Sequence, residues 1–168
     1  MSNFLKNLEY ISVKITPALI TLLLLFTSLA SSRFSGSYQI MPSFVIISIY
    51  YFGIFIPSSL SYIFLFILGI IEDSFIGAPL GISALGNIIL RLIITRNLRF
   101  FHDISFNFIW LVFVILSSFL ALFNATFISI YNTHLASLDI NLMQLLVTWL
   151  TYPLIHSLFS AIYKRIDQ

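Results

Sequence analysis

The chain has no cysteine and little charge: Asp, Glu, Lys and Arg together make up 8% of its 168 residues. The lack of cysteine excludes disulfide bonds, thiolate metal sites and a cysteine nucleophile. Soluble domains carry roughly 25% charged residues, whereas this chain is 60% hydrophobic. The composition therefore predicts an all-α, polytopic membrane protein. A net charge of +2, with the cations at the ends of apolar segments, does not indicate nucleic-acid binding.

The sequence also lacks the common catalytic motifs, including a Walker-type glycine loop, HExxH and GxSxG. Its three histidines, His102, His134 and His156, fall in separate predicted segments, so they cannot form one metal site. The GISA stretch around Ser83 faintly resembles the serine site of intramembrane proteases, but Ala84 stands where that family has glycine. We therefore predict no enzymatic activity, catalytic residue, cofactor or metal.

Turn residues divide the apolar stretches into six predicted transmembrane helices. A helix needs roughly 20 residues to span a bilayer, and Pro17, the SGSYQ stretch and Pro57 mark helix starts and breaks. The connecting loops are too short to fold alone, so a single membrane domain is expected. The predicted helices cover residues 16–30, 40–56, 59–75, 79–95, 106–130 and 140–163.

Lysines and arginines predict the orientation, because they are enriched in cytoplasmic loops. Six crossings with both termini in the cytoplasm leave Arg33 alone on the outside. Arg91, near the inner end of the fourth helix, is expected to snorkel toward cytoplasmic water. The cations expected on the cytoplasmic side are Lys6, Lys14, Arg96, Arg99, Lys164 and Arg165.

An alternative makes the first segment a cleaved signal peptide. Lys6 and Lys14 precede an apolar core, and Ser28 and Ala30 are small residues at the spacing of a cleavage site. Cleavage would leave five crossings and place the new N-terminus opposite the C-terminus. The intact mass of the mature protein distinguishes the two cases.

The stretch GIIEDSFIGAPLGISAL, which begins at Gly69, places two adjacent acids in apolar surroundings. Gly69, Asp73 and Gly77 recur every four residues, so they share one face of the third helix, and small residues permit close helix approach. Gly77 suits the end of a helix and Pro79 suits the first turn of the next. The pattern predicts two helices joined by a tight turn at the outer membrane face; a hairpin that enters the membrane and returns would use the same residues.

The two acids, Glu72 and Asp73, allow two interpretations, because a charge near the membrane interface costs less than one at the bilayer centre. In the first, both are interfacial acids that help to end the helix and hold a packed turn. In the second, Asp73 points into the bundle or toward a partner protein, and Glu72 turns toward water.

Polar residues at four-residue spacing form one stripe on the fourth helix and another on the sixth, and both are expected to face a shared interior. They are interpreted as contacts between helices or, alternatively, as a binding surface. Pro153 should free the backbone carbonyl near Trp149, one turn earlier. The predicted intramembrane polar network consists of Asn87, Arg91, Asn124, Gln144, Thr148, Tyr152 and His156.

The acidic turn resembles the signature turn of the rod shape-determining protein MreD family, in which an acidic end of the third helix precedes a glycine, a proline and LG. The matching residues here are Asp73, Gly77, Pro79, Leu80, Gly81, Ala84 and Leu85. The resemblance extends to the chain length, the basic termini and YPLIHSLF at residues 152–159, and it covers essentially the whole chain. The turn, with Gly69 and Glu72, is its specific part.

The resemblance implies a non-enzymatic subunit of the bacterial cell-elongation machinery in the inner membrane, needed for rod shape and lateral peptidoglycan synthesis. Members of the family associate with MreC and, through it, with MreB, RodA and penicillin-binding protein 2. The family is also similar in architecture to the S components of energy-coupling factor transporters. Whether the protein forms a homodimer is left open.

The alternative function is a substrate-binding membrane subunit of a vitamin or lipid transporter, with Asp73, Asn124 and Gln144 lining an outward-facing pocket. S components often carry a small-residue helix face for docking on their transport partner, and no repeated A-x-x-x-A pattern occurs here. The scaffold function is therefore favoured.

Overall fold

In the computed structural model the described residues are 15–29, 41–101, 105–132 and 138–166, with the backbone alone described for 132, 138–140 and 162–166. They form six α-helices and one short 3-10 helix, and no strand occurs among them. The all-α prediction is confirmed. The helices are α1 (Ile15–Leu29), α2 (Phe44–Phe55), α3 (Tyr62–Ile76), α4 (Ile82–Arg96), α5 (Phe106–Asn132) and α6 (Leu138–Ile166), with the 3-10 helix at Leu98–Phe101.

Local chemistry explains where α2 ends and α3 begins. Ile56, which precedes Pro57, leaves helical geometry at φ −133° and ψ 71°, as expected for a residue before proline. The turn closes when the Ser59 backbone N–H donates to the Ile56 carbonyl at 3.0 Å. Ser61 then caps α3, because its side chain accepts a hydrogen bond from the Phe64 N–H at 3.1 Å. Helix α3 therefore starts three residues after the expected position.

Two helices are long and apolar enough to cross a membrane by length and composition. Their apolar segments are Phe106–Tyr131 in α5 and Asn141–Ala161 in α6, and only 22% and 17% of the most apolar windows are buried in the protein. A core helix of a soluble protein would be mostly buried. Helices α1 and α2 are shorter apolar helices.

Four helices, α2, α4, α5 and α6, close into a ring in which each packs against the next. Helix α3 packs on the outside of this ring against α4, over the most extensive contact among the described helix pairs. Helix α1 contributes Leu25 and Leu29 to the same apolar core. Helix α4, which contacts α2, α3 and α5, is therefore the central element.

Three aromatic side chains fill the middle of the ring. The Tyr50 ring lies 5.2 Å from Phe113 and 5.8 Å from Tyr152, and the Phe113 and Tyr152 rings stack at 4.3 Å. The Tyr50 hydroxyl donates to the Ile109 carbonyl at 2.8 Å, so this buried polar group is satisfied.

The Arg91 side chain holds the end of α2 from its position on α4. It is 3% exposed, and its guanidinium donates to the carbonyls of Gly53 and Pro57. The lack of a side chain at Gly53 leaves room for this group, since a Cβ there would lie 3.2 Å from Nη1. The prediction that Arg91 snorkels to water is wrong, because free carbonyls at a helix end attract a cation.

Several sequence predictions concern positions outside the residues whose side chains are described. They include the signal-peptide position Ala30 and the histidines His102 and His134. The same holds for the cations Lys6, Lys14, Arg33, Lys164 and Arg165.

Candidate functional site: the acidic turn and the cavity beside it

Helices α3 and α4 approach most closely at Gly69. A Cβ added there would lie 2.3 Å from both the Cα and the N of Ala84, far below ordinary contact distance. Only glycine fits while the two backbones remain in place. This close packing brings the end of α3 against the start of α4.

Asp73 organises the turn between these helices through both its backbone and its side chain. Its carbonyl accepts hydrogen bonds from the N–H groups of Gly77, at 2.9 Å, and Ala78, at 3.1 Å. Its carboxylate accepts from the Gly81 N–H at 2.7 Å and from the Ser83 N–H at 3.2 Å. Asp73 is 0% exposed. The carboxylate thus caps the N-terminus of α4 from the neighbouring helix, where the helix dipole favours negative charge.

Two glycines give the turn its shape. Gly77 ends α3 at φ +75° and Gly81 precedes α4 at φ +103°, in the left-handed region that favours glycine. Pro79 was expected in the first turn of α4, but it lies in the turn itself, because Gly81 with its positive φ must come before the helix. Leu80, at the tip, is 69% exposed.

A cavity of about 220 Å³ lies beside the acidic turn. Its wall is built from the starts of α2, α4 and α6, the end of α3 and the second half of α5. It brings together Asp73, Asn124 and Gln144, which the alternative transporter function places in one outward-facing pocket. The lining residues are Ser43, Ile46, Glu72, Asp73, Ile76, Ala78, Ile82, Ser83, Ser117, Ala121, Asn124, Ala125, Ile128, Asn141, Gln144, Leu145 and Thr148.

Ser43 joins α2 to α6 at the cavity wall. Its backbone N–H donates to Thr148 Oγ1 at 3.0 Å, and its Oγ accepts from Gln144 Nε2 at 3.3 Å. Ser43 was not among the site residues predicted from the sequence, although a serine directly before an apolar run is a signal for a helix start. Gln144 and Thr148 are therefore engaged in contacts between helices.

Glu72 and Asn87 lie at the α3 to α4 interface. Glu72 is partly exposed and lines the cavity, whereas the second interpretation of the two acids expected it to turn toward water. The Asn87 side chain, 4% exposed, lies next to the Glu72 carboxyl group. Its Nδ2 and the Oδ1 of Asn124 are buried atoms without a hydrogen-bond partner among the described residues.

Two further residues of the predicted network, Tyr152 and His156, pack among aromatic side chains. His156 packs among aromatic rings, 4.9 Å from Phe106 and 5.3 Å from Tyr51, and Tyr152 is 0% exposed. The polar stripe of α6 is therefore divided: Gln144 and Thr148 line the cavity, whereas Tyr152 and His156 belong to the aromatic core.

The carbonyl that Pro153 leaves free has a partner, because the Trp110 indole Nε1 donates to the Trp149 carbonyl at 3.1 Å. The Trp149 indole donates in turn to Ser117 Oγ at 2.9 Å. These two tryptophans bind α5 to α6 at the position that the proline weakens.

Among the described residues, no group of three or more His, Asp or Glu side chains is arranged to hold a metal ion. The polar groups of the site can accept and donate hydrogen bonds, and Glu72 and Asp73 supply its negative charge.

Comparison with protein-family models matches residues 10–162 to the family described as rod shape-determining protein MreD. Comparisons with curated proteins and with solved structures give no match. The matched range includes all of the acidic turn and nearly the whole chain. The chain therefore belongs to the MreD family of rod shape-determining proteins, as the resemblance at its acidic turn predicted.

Proposed function

We propose that this protein is a non-enzymatic inner-membrane subunit of the bacterial cell-elongation machinery that acts through MreC. Family membership supports a role in rod shape determination. Through MreC, the protein would associate with MreB, RodA and penicillin-binding protein 2 and help to organise lateral peptidoglycan synthesis. The supporting observation is the acidic turn, which buried contacts hold in one shape while its tip is exposed.

The proposed topology has six crossings with both termini in the cytoplasm. Helix α2 has 12 residues, which span about 18 Å at 1.5 Å per residue, less than the hydrocarbon thickness of about 30 Å. A helix can end within the membrane where protein surrounds it and satisfies its last carbonyls. For α2, Arg91 of α4 donates to the carbonyl of Gly53 near the helix end. Protein also surrounds this helix, since Ile49 and Tyr50 are 0% exposed.

The proposed MreC contact is the tip of the acidic turn. Ile76 and Leu80 are 63% and 69% exposed, whereas Asp73 is buried beneath them. Asp73 would therefore act on partner binding through the shape of the turn, and Leu80 through direct contact. The two residues should be tested separately.

An affinity pull-down from mildly solubilised membranes tests the proposal. Leu80→Asn should reduce recovery of MreC and of penicillin-binding protein 2, because it makes an exposed apolar tip polar. The matched control is Ile63→Asn, at the opposite end of α3 and 74% exposed, which should leave recovery unchanged. No recovery of MreC with the wild type, or equal recovery with both variants, would contradict the proposal.

Depletion of the protein in cells tests the cellular role. We expect rod-shaped cells to become round and lateral wall insertion to lose its organisation. Cells that stay rod-shaped with normal wall insertion would refute this role. The mass of the detergent-solubilised protein, compared with the 19.2 kDa chain, would decide whether it forms a homodimer.

A second candidate, the substrate-binding subunit of a vitamin or lipid transporter, is supported by the cavity that Asp73, Asn124 and Gln144 line together. Pull-down of transporter ATPases in place of MreC would favour it. The size of the cavity counts against a vitamin, since pockets for drug-sized ligands measure roughly 300–1,000 Å³.

A further inference from the structure

Helix α3 turns an apolar face away from the rest of the protein. It packs on the outside of the ring of helices, and its two charged residues do not lie on the free face, since Asp73 is buried and Glu72 lines the cavity. Ser74 is exposed, but its hydroxyl donates to the Ile70 carbonyl at 2.7 Å and needs no water. The exposed apolar side chains of this face are Ile63, Phe66, Ile67, Phe75 and Ile76.

This face is shorter than a bilayer is thick. Helices α3 and α4 have 15 residues each, which span about 22 Å at 1.5 Å per residue. The hydrocarbon core of a typical bilayer measures about 30 Å. Leu85 and Leu92 of α4 are exposed as well, so lipid reaches both short helices. The surface of α3 and α4 that faces lipid, named here the α3–α4 face, is therefore about 8 Å too short.

The turns at the two ends of α3 limit the region that can lie in hydrocarbon. Protein surrounds the end of α2, but Pro57 and Ser58 in the following turn are exposed, and Gly77 at the other end of α3 is exposed too. Lipid-exposed turns do not occur within the hydrocarbon core, because lipid cannot pair their backbone groups. The bilayer must therefore reach its head-group level at both turns.

The charges at one end of the face match a phospholipid. Because the turn after Gly77 reverses the chain, α4 ends on the side where α3 begins, and Arg96 and Arg99 are exposed there. Tyr62, the first residue of α3, is 44% exposed. Tyrosine favours the membrane interface, and arginine is attracted to anionic head groups. The face thus offers cations to the phosphate and apolar side chains to the acyl chains.

Helix α5 has no such mismatch. Its apolar segment Phe106–Tyr131 has 26 residues, which span about 39 Å. It exposes apolar side chains from Phe108 to Ile130. Tilting can fit a long helix to a bilayer, but it reduces the height of α3 further. The mismatch is therefore confined to one side of the protein.

We propose that the α3–α4 face binds a locally thinned bilayer and selects phospholipids with short acyl chains. A bilayer adapts to a short apolar surface by thinning, and shorter chains reduce the cost of this deformation. This selection rests on the membrane-spanning topology proposed above, but it does not require MreC.

Quenching of a fluorescent label by brominated lipids tests this selection. The chain has no cysteine, so Ile67→Cys carries a single label near the middle of α3, at a position that is 52% exposed. The labelled protein is reconstituted in an equal mixture of dimyristoleoyl and dioleoyl phosphatidylcholine, with one of the two lipids brominated at a time. The shorter lipid should quench this label about twofold more strongly than the longer one.

The matched control is Phe119→Cys, near the middle of α5 and 50% exposed. Because α5 is long enough for a full bilayer, the two lipids should quench this label equally.

A second measurement locates the two ends of the face. Labels on Ser58→Cys and Leu80→Cys, in the turns before and after α3, should be accessible to aqueous iodide in dioleoyl bilayers. Exclusion of iodide from either label would overturn the proposal, because the turn would then lie in hydrocarbon.

The remaining outcomes separate this proposal from the topology on which it rests. Equal quenching of the Ile67→Cys label by the two lipids, or the same preference at Phe119→Cys, would overturn the lipid selection alone. Quenching at Phe119→Cys without quenching at Ile67→Cys would also overturn it, because a second copy of the chain would then cover the face. Absence of quenching at both positions would contradict the membrane-spanning topology itself, and the lipid selection with it.

Discussion

Replacing Gly69 with alanine should separate α3 from α4 and so disturb the whole acidic turn. The new Cβ would lie 2.3 Å from backbone atoms of Ala84, whereas ordinary contacts begin at 3.4 Å. The clash is with backbone, which cannot rotate away as a side chain can. One helix must therefore move by about 1 Å, within a closely packed interface that resists such shifts.

Three contributions set the magnitude. Overpacking costs about 1–3 kcal/mol, and loss of the charged hydrogen bond from Gly81 N–H to Asp73 costs about 1.5–3 kcal/mol. Alanine is more favourable than glycine in a helix interior by about 1 kcal/mol, which offsets part of this loss. We expect Gly69→Ala to lower the free energy of unfolding by about 1.5–5 kcal/mol.

The matched control is Gly86→Ala, the same substitution in the interior of α4. A Cβ at Gly86 meets its nearest atoms, on Asn124 and Leu120, at 3.7 Å, an ordinary contact. This variant should be neutral or stabilised by up to about 1 kcal/mol. If Gly69→Ala destabilises the protein and Gly86→Ala does not, the close approach of the two backbones at Gly69 causes the loss of stability.

Unfolding of the purified variants in mixed micelles, followed by circular dichroism, measures both free energies. Complementation of a depleted strain then tests whether Gly69→Ala cells lose rod shape while Gly86→Ala cells keep it. Equal stability of the two variants would refute the inferred packing of α3 against α4.

Three other predictions concern buried polar contacts. Asp73→Asn should lower the free energy of unfolding by about 1–2 kcal/mol, measured in the same micelles, because a neutral amide caps the α4 dipole less well; an unchanged value would argue against the cap. Arg91→Leu should lower the free energy of unfolding by about 2–4 kcal/mol, because it leaves two carbonyls at the end of α2 unpaired. Arg91→Lys should recover only part of this stability, since a single ammonium group lacks the fork of donors of a guanidinium. Full recovery with lysine would contradict the observed geometry. Trp110→Phe should lower the free energy of unfolding by about 0.5–1.5 kcal/mol in the wild type. The loss should be smaller in a Pro153→Ala background, where residue 153 supplies its own N–H donor to the Trp149 carbonyl. A double-mutant cycle that shows no coupling between the two positions would count against this contact.

Local sequence signals predicted much of the acidic turn. The four-residue spacing of Gly69 and Asp73 placed both on one face of α3, and Gly77 was expected at a helix end. These inferences succeed because helical periodicity and the freedom of glycine at positive φ act over a few residues. Pro79 shows the limit: its preference for a first helical turn was overridden by Gly81, whose φ of +103° precedes the helix.

The partners of the buried polar groups were not predictable. Arg91 was assigned to water because long cations near helix ends often snorkel, yet the end of α2, 34 residues earlier, supplies its acceptor at Pro57. Ser43 and Thr148, which are 105 residues apart in the chain, meet at the cavity wall. No local pattern indicates such pairs, because they depend on which helices become neighbours.

The sequence by itself determined the helical class, the tight turn after Asp73 and membership of the MreD family, since composition, periodicity and turn residues are local properties. The tertiary structure alone decided that Asp73 caps α4, that Arg91 closes α2, and that the polar stripe of α6 divides between a cavity and an aromatic core. Burial and hydrogen bonding across helices produce these outcomes, because a polar side chain removed from water takes whichever partner the packed neighbour offers.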